Sequence, residues 1–238
     1  MKKMILTSSA AVLWAFSANA TSIEYYAGTG VSYVDSGIKI PAPLGLNEWS
    51  TTNNTTNNAL SVIVGADVKI KSAESLLFRV EGEYKTYKQA MFEDLTDGNP
   101  LTFNPWITSG NNYIIDNDTL FLNAVFGWKT GMKFNPFVVA GVGVNQYNGQ
   151  HTWFSGNFGG KTELYTGYSF AWSIGAGLEF DVSEKLAMNL TYKYVDLGKQ
   201  KYTAHLFNDA WSSPPTYWAD TYVKPTNNEV MLSMMYKF

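Results

Sequence analysis

Large apolar residues recur at every second position along this chain, in runs separated by polar, turn-rich stretches. From Tyr168 to Phe180 the residues Tyr168, Phe170, Trp172, Ile174, Leu178 and Phe180 share one parity, and Ser169, Ser173, Gly175, Gly177 and Glu179 share the other. A period of two belongs to a strand whose faces meet different surroundings. The same reading gives eight strands: Glu24–Val34, Ala59–Ile70, Leu76–Lys88, Thr119–Lys129, Phe137–Tyr147, Tyr168–Phe180, Leu186–Val195 and Glu229–Phe238. Each is near the roughly 9–11 residues that a tilted strand needs to cross a bilayer.

The connections alternate in length. "KSAES", "TGMKFNP" and "DVSEK" are tight turns, whereas Asp35–Asn58, Gln89–Asp118, Asn148–Gly167 and Gly198–Asn228 are long and rich in Asn, Thr, Gly and Pro. Short turns on one side and long loops on the other predict an all-β fold, an eight-stranded antiparallel up-and-down transmembrane barrel.

Charge then assigns the faces. In the third strand Leu76, Phe78, Val80, Gly82 and Tyr84 oppose Arg79, Glu81, Glu83 and Lys85. Against lipid, the charged set must point into the lumen and pair there. Asp67, Lys69, Glu179 and Lys193 share the parity of their inward-facing neighbours, so these eight residues are expected to form one lumenal polar network. Eight strands enclose a space just wide enough for side chains to fill. Gly28, Gly30, Gly141, Gly143, Gly175 and Gly177 are expected where that interior is tight or a strand bends.

The ends and the composition extend this picture. Lys2 and Lys3, the apolar stretch Met4–Phe16 and the Ala18-Asn19-Ala20 site read as a signal peptide over residues 1–20, leaving a barrel domain over 21–238. The chain has no cysteine, so neither disulfides nor thiolate metal sites secure it. A net charge of -3 is too small to point to nucleic acid. Aromatic residues make up 16% of the chain, 15 of them Tyr, which suits a membrane interface better than a soluble surface. The last strand places Val230, Leu232, Met234, Tyr236 and Phe238 on a lipid-facing side, and pairing it with the first strand removes both sheet edges.

"PFVVAGVGVNQY", "YSFAWSIGAGLEFDVSEKLAMNLTYKYVDLG" and the terminal "YKF" resemble the opacity-type and OmpA-like outer membrane β-barrel superfamily of Gram-negative bacteria. The likeness is specific in wording from about Pro136 to Gly198 and at the C-terminus. It implies a barrel in the outer membrane with both termini in the periplasm, in contact with outer membrane lipid and lipopolysaccharide, and surface-antigen or adhesin roles in some members. It also implies that Leu232, Met234, Tyr236 and Phe238 match the signal read by the barrel-assembly machinery. No peptidoglycan-binding domain follows in this sequence, so a small stand-alone barrel is expected.

Catalytic chemistry finds little support. His151 and His205 are the two histidines, both expected in loops, and Asp209 follows His205 by four residues without a nucleophile motif. No metal site or cofactor is expected. Trp49, Trp106, Trp153, Trp211 and Trp218 fall in the long connections with Phe92, Phe103, Phe154, Phe158 and Phe207. They are candidate contacts for a host or surface ligand, or else members of an outer aromatic girdle. The leading expectation is a membrane-anchored scaffold displaying surface loops, with a narrow porin and an outer-membrane lipid-modifying enzyme as alternatives.

Overall fold

The computed structural model describes residues 20–39, 53–70, 75–96, 109–155, 158–161, 165–206 and 217–238. Eight long strands form a closed ring: β1 (Ala20–Lys39), β2 (Asn53–Ile70), β3 (Leu76–Tyr87), β5 (Ser109–Trp128), β6 (Phe134–Ser155), β8 (Tyr165–Asp181), β9 (Leu186–Asp196) and β11 (Tyr217–Lys237). Each pairs antiparallel with the next, and β11 returns to β1 from Tyr26↔Lys237 up to Lys39↔Lys224. The eight-stranded up-and-down barrel is therefore as expected. The chain end is sealed to its last residue, because the Phe238 amide donates to the Tyr25 carbonyl at 3.0 Å.

Turn chemistry at the lower end is local. Leu186 donates its amide to the Ser183 hydroxyl at 3.1 Å, and the Thr130 hydroxyl donates to the Phe134 carbonyl at 2.7 Å beside Gly131, whose φ of 72° suits a residue without a side chain.

Outward positions are apolar between two aromatic rings. Tyr25, Trp128, Phe134, Phe180, Tyr236 and Phe238 are exposed at the lower rim, and Tyr33, Tyr84, Tyr168 and Tyr192 at the upper. Above the upper ring the outward residues turn polar at Asn58, Thr86, Asp118, Gln146 and Asn228. An apolar band between aromatic girdles is the surface a bilayer demands.

The strands do not stop at that band. Three short strands, β4 (Ala90–Thr96), β7 (Phe158–Lys161) and β10 (Gln200–Leu206), continue β3, β8 and β9 upwards. Much of each predicted loop is thus strand, a correction to the sequence reading. Each continuation begins after one extra residue. Between Thr86↔Asp118 and Ala90↔Ile115 one strand advances by four and its partner by three, and the same offset separates Asp196↔Thr226 from Gln200↔Val223, and Gly149↔Tyr165 from Thr152↔Lys161. Gly198, with φ 78°, sits in one of these bulges.

Above the bulges the wall divides. Among the described residues β4 has no ladder to β2, and β10 none to β8, leaving one ribbon β10–β11–β1–β2 and another β4–β5–β6–β7. A few bonds join them: the Lys88 amide donates to the Asn58 carbonyl at 2.8 Å, and the Lys201 amide to the Tyr147 hydroxyl at 3.0 Å.

Gly175 shows how little room the wall leaves. A Cβ there would collide with the Tyr192 carbonyl oxygen and meet Lys193 Cγ at 2.9 Å. Gly175→Ala is expected to destabilise the folded barrel by about 1–3 kcal/mol, read as a lower urea midpoint in lipid vesicles; an unchanged midpoint would remove the steric argument.

Candidate functional site: the lumen and the upper wall

The lumen is filled in layers, and β3 with β4 serves as the ruler. Arg79 lies lowest of the buried cations and is fully enclosed. Its Nε donates to Asp67 Oδ1 at 2.7 Å, a second guanidinium nitrogen bonds Glu179, and Nη1 lies 3.5 Å from Glu81 Oε1. A planar fork with five donors can serve several carboxylates at once, which a lysine cannot match in fixed geometry. Tyr26 donates to Glu81 at 2.8 Å, its ring lies 5.0 Å from the guanidinium carbon, and Lys237 approaches Glu179 at 3.5 Å.

Two turns of the pleat higher is a second cluster with balanced charge. Lys85 contacts Glu229 at 2.5 Å and Glu83 at 3.1 Å, and Lys193 contacts Glu83 at 2.6 Å. Tyr87 donates to Glu229 at 2.7 Å and Asn123 to Glu83 at 2.9 Å. Ions taken this far from water persist only where partners and further hydrogen bonds offset desolvation.

Apolar layers alternate with the ionic ones. Val34, Ala59, Tyr87, Phe121, Ala171, Val195 and Leu197 close over the second cluster. Next comes an amide layer, in which Asn145 and Gln200 both donate to Asn117 Oδ1, at 3.0 and 2.9 Å. At the top, Ile38 and Val223 from one ribbon meet Ala90, Phe92, Tyr113, Ile115 and Tyr147 from the other. Burial pushes the Tyr147 hydroxyl above its usual pKa, so it accepts from Lys201 as a neutral group.

The outer membrane protein beta-barrel domain family matches residues 7–238. The chain belongs to this family. It is an outer membrane β-barrel protein. The chain is 27% identical over 121 residues to outer membrane protein PagN of Salmonella typhimurium, covering 50% of this chain and 49% of that protein. It thus spans about half the length of the curated relative it matches. Among solved structures, the outer membrane protease OmpT of Escherichia coli aligns with a TM-score of 0.53 at 8% identity, covering 90% of this chain and 97% of that one, a likeness of fold alone. Neisserial surface protein A aligns at 0.44 and 11% identity, over 91% and 99% of the two chains.

Within this outer membrane barrel, seven of the eight residues expected in the lumenal network are buried: Asp67, Arg79, Glu81, Glu83, Lys85, Glu179 and Lys193. They form two clusters rather than one. Lys69 is a correction: it pairs with Glu24 at the lower rim, where its side chain is 43% exposed, because the strand has left the enclosed part of the barrel. Sequence reasoning left Tyr26, Tyr87, Asn123 and Glu229 out of the network. Their inward parity was the available signal. The lumen is also less polar than expected, since Ile63, Met231 and Met235 pack inside beside Tyr26.

Leu232, Met234 and Tyr236 are lipid-facing and Phe238 is 74% exposed, as the alternation requires. The loop aromatics need more correction. Trp153 and Trp218 lie on β6 and β11, opposite Asn111 and His205 in the ladders, while Trp49, Trp106 and Trp211 lie outside the described residues. Phe154 and Phe158 are paired with strand partners, Phe92 is buried at the top of the lumen, and Phe103 and Phe207 are outside the described residues. His151 and His205 are strand residues on different ribbons, and Asp209 lies outside the described residues. No group of three metal-ligating side chains occurs among the described residues.

Arg79→Met strands three carboxylates in the lower lumen. A loss of about 3–5 kcal/mol in unfolding free energy is expected, with part of it recovered in Arg79→Met/Glu179→Gln. Equal stability of the single variant and the unaltered protein in vesicle unfolding would show that the cluster is solvated rather than enclosed.

Proposed function

We propose that the barrel is a non-enzymatic anchor and that function resides in the surface segments carried above the membrane, as in an adhesin-like or surface-antigen protein. The observation that supports this reading is the filled interior: two ionic clusters, an amide layer and apolar layers are stacked in the lumen. Such filling argues against the narrow-porin alternative, since an eight-stranded barrel is just wide enough for side chains to fill. The wall meanwhile continues well beyond the lipid band as two ribbons, which would hold the segments 40–52, 97–108 and 207–216 on a rigid base. These carry Trp49, Trp106 and Trp211, side chains suited to anchoring a ligand. Delivery to that position is proposed to depend on the terminal alternation ending in Phe238, recognised by the barrel-assembly machinery.

Three outcomes are expected. A barrel in which 40–52, 97–108 and 207–216 are replaced by short Gly-Ser links should insert normally yet lose attachment of intact bacteria to host cells; full attachment by the trimmed protein would sink the display reading. In planar bilayers the unaltered protein should give no reproducible channel, and stepwise conductance would restore the porin alternative. Deleting Phe238 should lower the amount assembled in the outer membrane several-fold, measured as the heat-modifiable band on gels, whereas normal assembly would separate that residue from the signal.

A further inference from the structure

Two rows of small polar side chains connect the ionic clusters. One runs across the ladders from Glu179 through Asn189, Ser233, Gly30 and Ser61 to Lys85, so it begins at the lower cluster and ends at the upper. The other runs from Glu81 through Asn123 and Gly141 to Ser173, which pairs with Val195 of the apolar layer. Four oxygens on these rows, Asn123 Oδ1, Ser173 Oγ, Asn189 Oδ1 and Ser233 Oγ, are buried without a hydrogen-bond partner in the protein. Their residues are between 1% and 5% exposed, so bulk solvent does not serve them. Buried oxygens in that condition are uncommon, because leaving one unbonded costs its full desolvation.

Glycines bring these oxygens together. At Gly141 a Cβ would collide with Asn123 Oδ1 and lie 2.7 Å from Ser173 Oγ, so both oxygens face one bare stretch of wall and a single small molecule can touch both. Asn123 is fixed in this sense: its Nδ2 donates to Glu83 at 2.9 Å, which leaves the carbonyl end for Gly141. On the other row a Cβ at Gly30 would meet Ser61 Oγ at 3.2 Å and Ser233 Cβ at 3.1 Å. Asn189, paired with Ser233, directs Nδ2 to Met235 Sδ at 3.4 Å and leaves Oδ1 without a donor.

Hydrogen-bond sense and charge select the ligand. Two of the four oxygens are amide carbonyls, which only accept, so the ligand must donate and an anion is excluded. A cation is opposed by Arg79 at one end and by Lys85 and Lys193 at the other, which already hold the nearby carboxylates. What remains is a small neutral donor. We propose that water molecules are bound at two sites between the ionic clusters, one held by Asn123 Oδ1 and Ser173 Oγ at Gly141, the other by Asn189 Oδ1 and Ser233 Oγ at Gly30. A buried water typically makes about three hydrogen bonds to groups that otherwise lack them, and each site supplies two such groups, with the Ser61 hydroxyl beside the second. These waters turn the two clusters into one hydrogen-bonded network.

The test is water-edited solid-state NMR on the isotopically labelled protein in lipid vesicles, with a soluble gadolinium chelate added to quench signal arriving through bulk solvent. Gly30 and Gly141 should receive water magnetisation several-fold faster than Val125 and Val139, which lie in a buried apolar cluster. Asn123→Leu/Ser173→Ala should abolish the fast transfer at Gly141 while Gly30 keeps it. If the double variant does not fold, Ser173→Ala alone decides the matter, since it removes one of the two oxygens with little change in volume and should slow transfer at Gly141 several-fold. Equal rates at Gly141 and Val139 in the unaltered protein overturn the site and mean that Asn123 and Ser173 find partners among protein groups. Fast transfer at Gly141 that survives the substitutions overturns it too, because the protons then come from exchange at the neighbouring lysines.

Discussion

Hydrocarbon offers no hydrogen bonds, so every backbone amide and carbonyl at membrane depth must find its partner within the protein. The ring of eight strands meets that demand only by closing, and the ladder between β1 and β11 is the closure. Everything else inherits its shape from this. Eight strands give an interior of fixed narrow width, and that interior has to be filled with side chains rather than left empty. The outer face is then free to be apolar throughout, which is why Leu122, Val142, Ile174 and Leu232 sit exposed without cost.

Filling a tube with inward-facing residues raises a second difficulty, since long charged side chains are suited to reaching across it but are costly to bury. The lower lumen answers with one guanidinium shared among Asp67, Glu81 and Glu179, and the upper with a balanced set of two lysines and two glutamates. The apolar layer of Val34, Ala59, Phe121, Ala171, Val195 and Leu197 sits directly above the upper set, and low-polarity surroundings strengthen such pairings.

The spanning part was legible because one physical rule governs it. Wherever lipid lies on one side and an enclosed lumen on the other, residues such as Tyr168, Phe170 and Trp172 must alternate with Ser169 and Ser173, and parity alone placed Arg79, Glu83 and Lys193 inside. Lys69 escaped the rule because parity says which way a side chain points but not where the enclosure ends. The upper wall was illegible for a different reason. Above the band both faces are wet or packed on protein, so the contrast between them fades, and Asn and Thr in strands such as Asn53–Asn58 read as loop. Phe92 illustrates the cost: it looked like a surface aromatic, yet the second ribbon turns it inward against Tyr113 and Ile115.

At the bulges between β3 and β4 and between β9 and β10 the single extra residue also inverted the alternation. On β3 the odd positions up to Tyr87 are buried, and on β4 the even positions Ala90 and Phe92 are; Val195 and Leu197 give way to Gln200 in the same manner. A bulge therefore resets the phase, and the two levels of wall count residues independently. Insertions or deletions above a bulge can alter the length and sequence of the upper ribbons while every lipid-facing position below keeps its place. Such insulation would let the surface of the protein diversify rapidly under selection, on a membrane-spanning base that does not have to change with it.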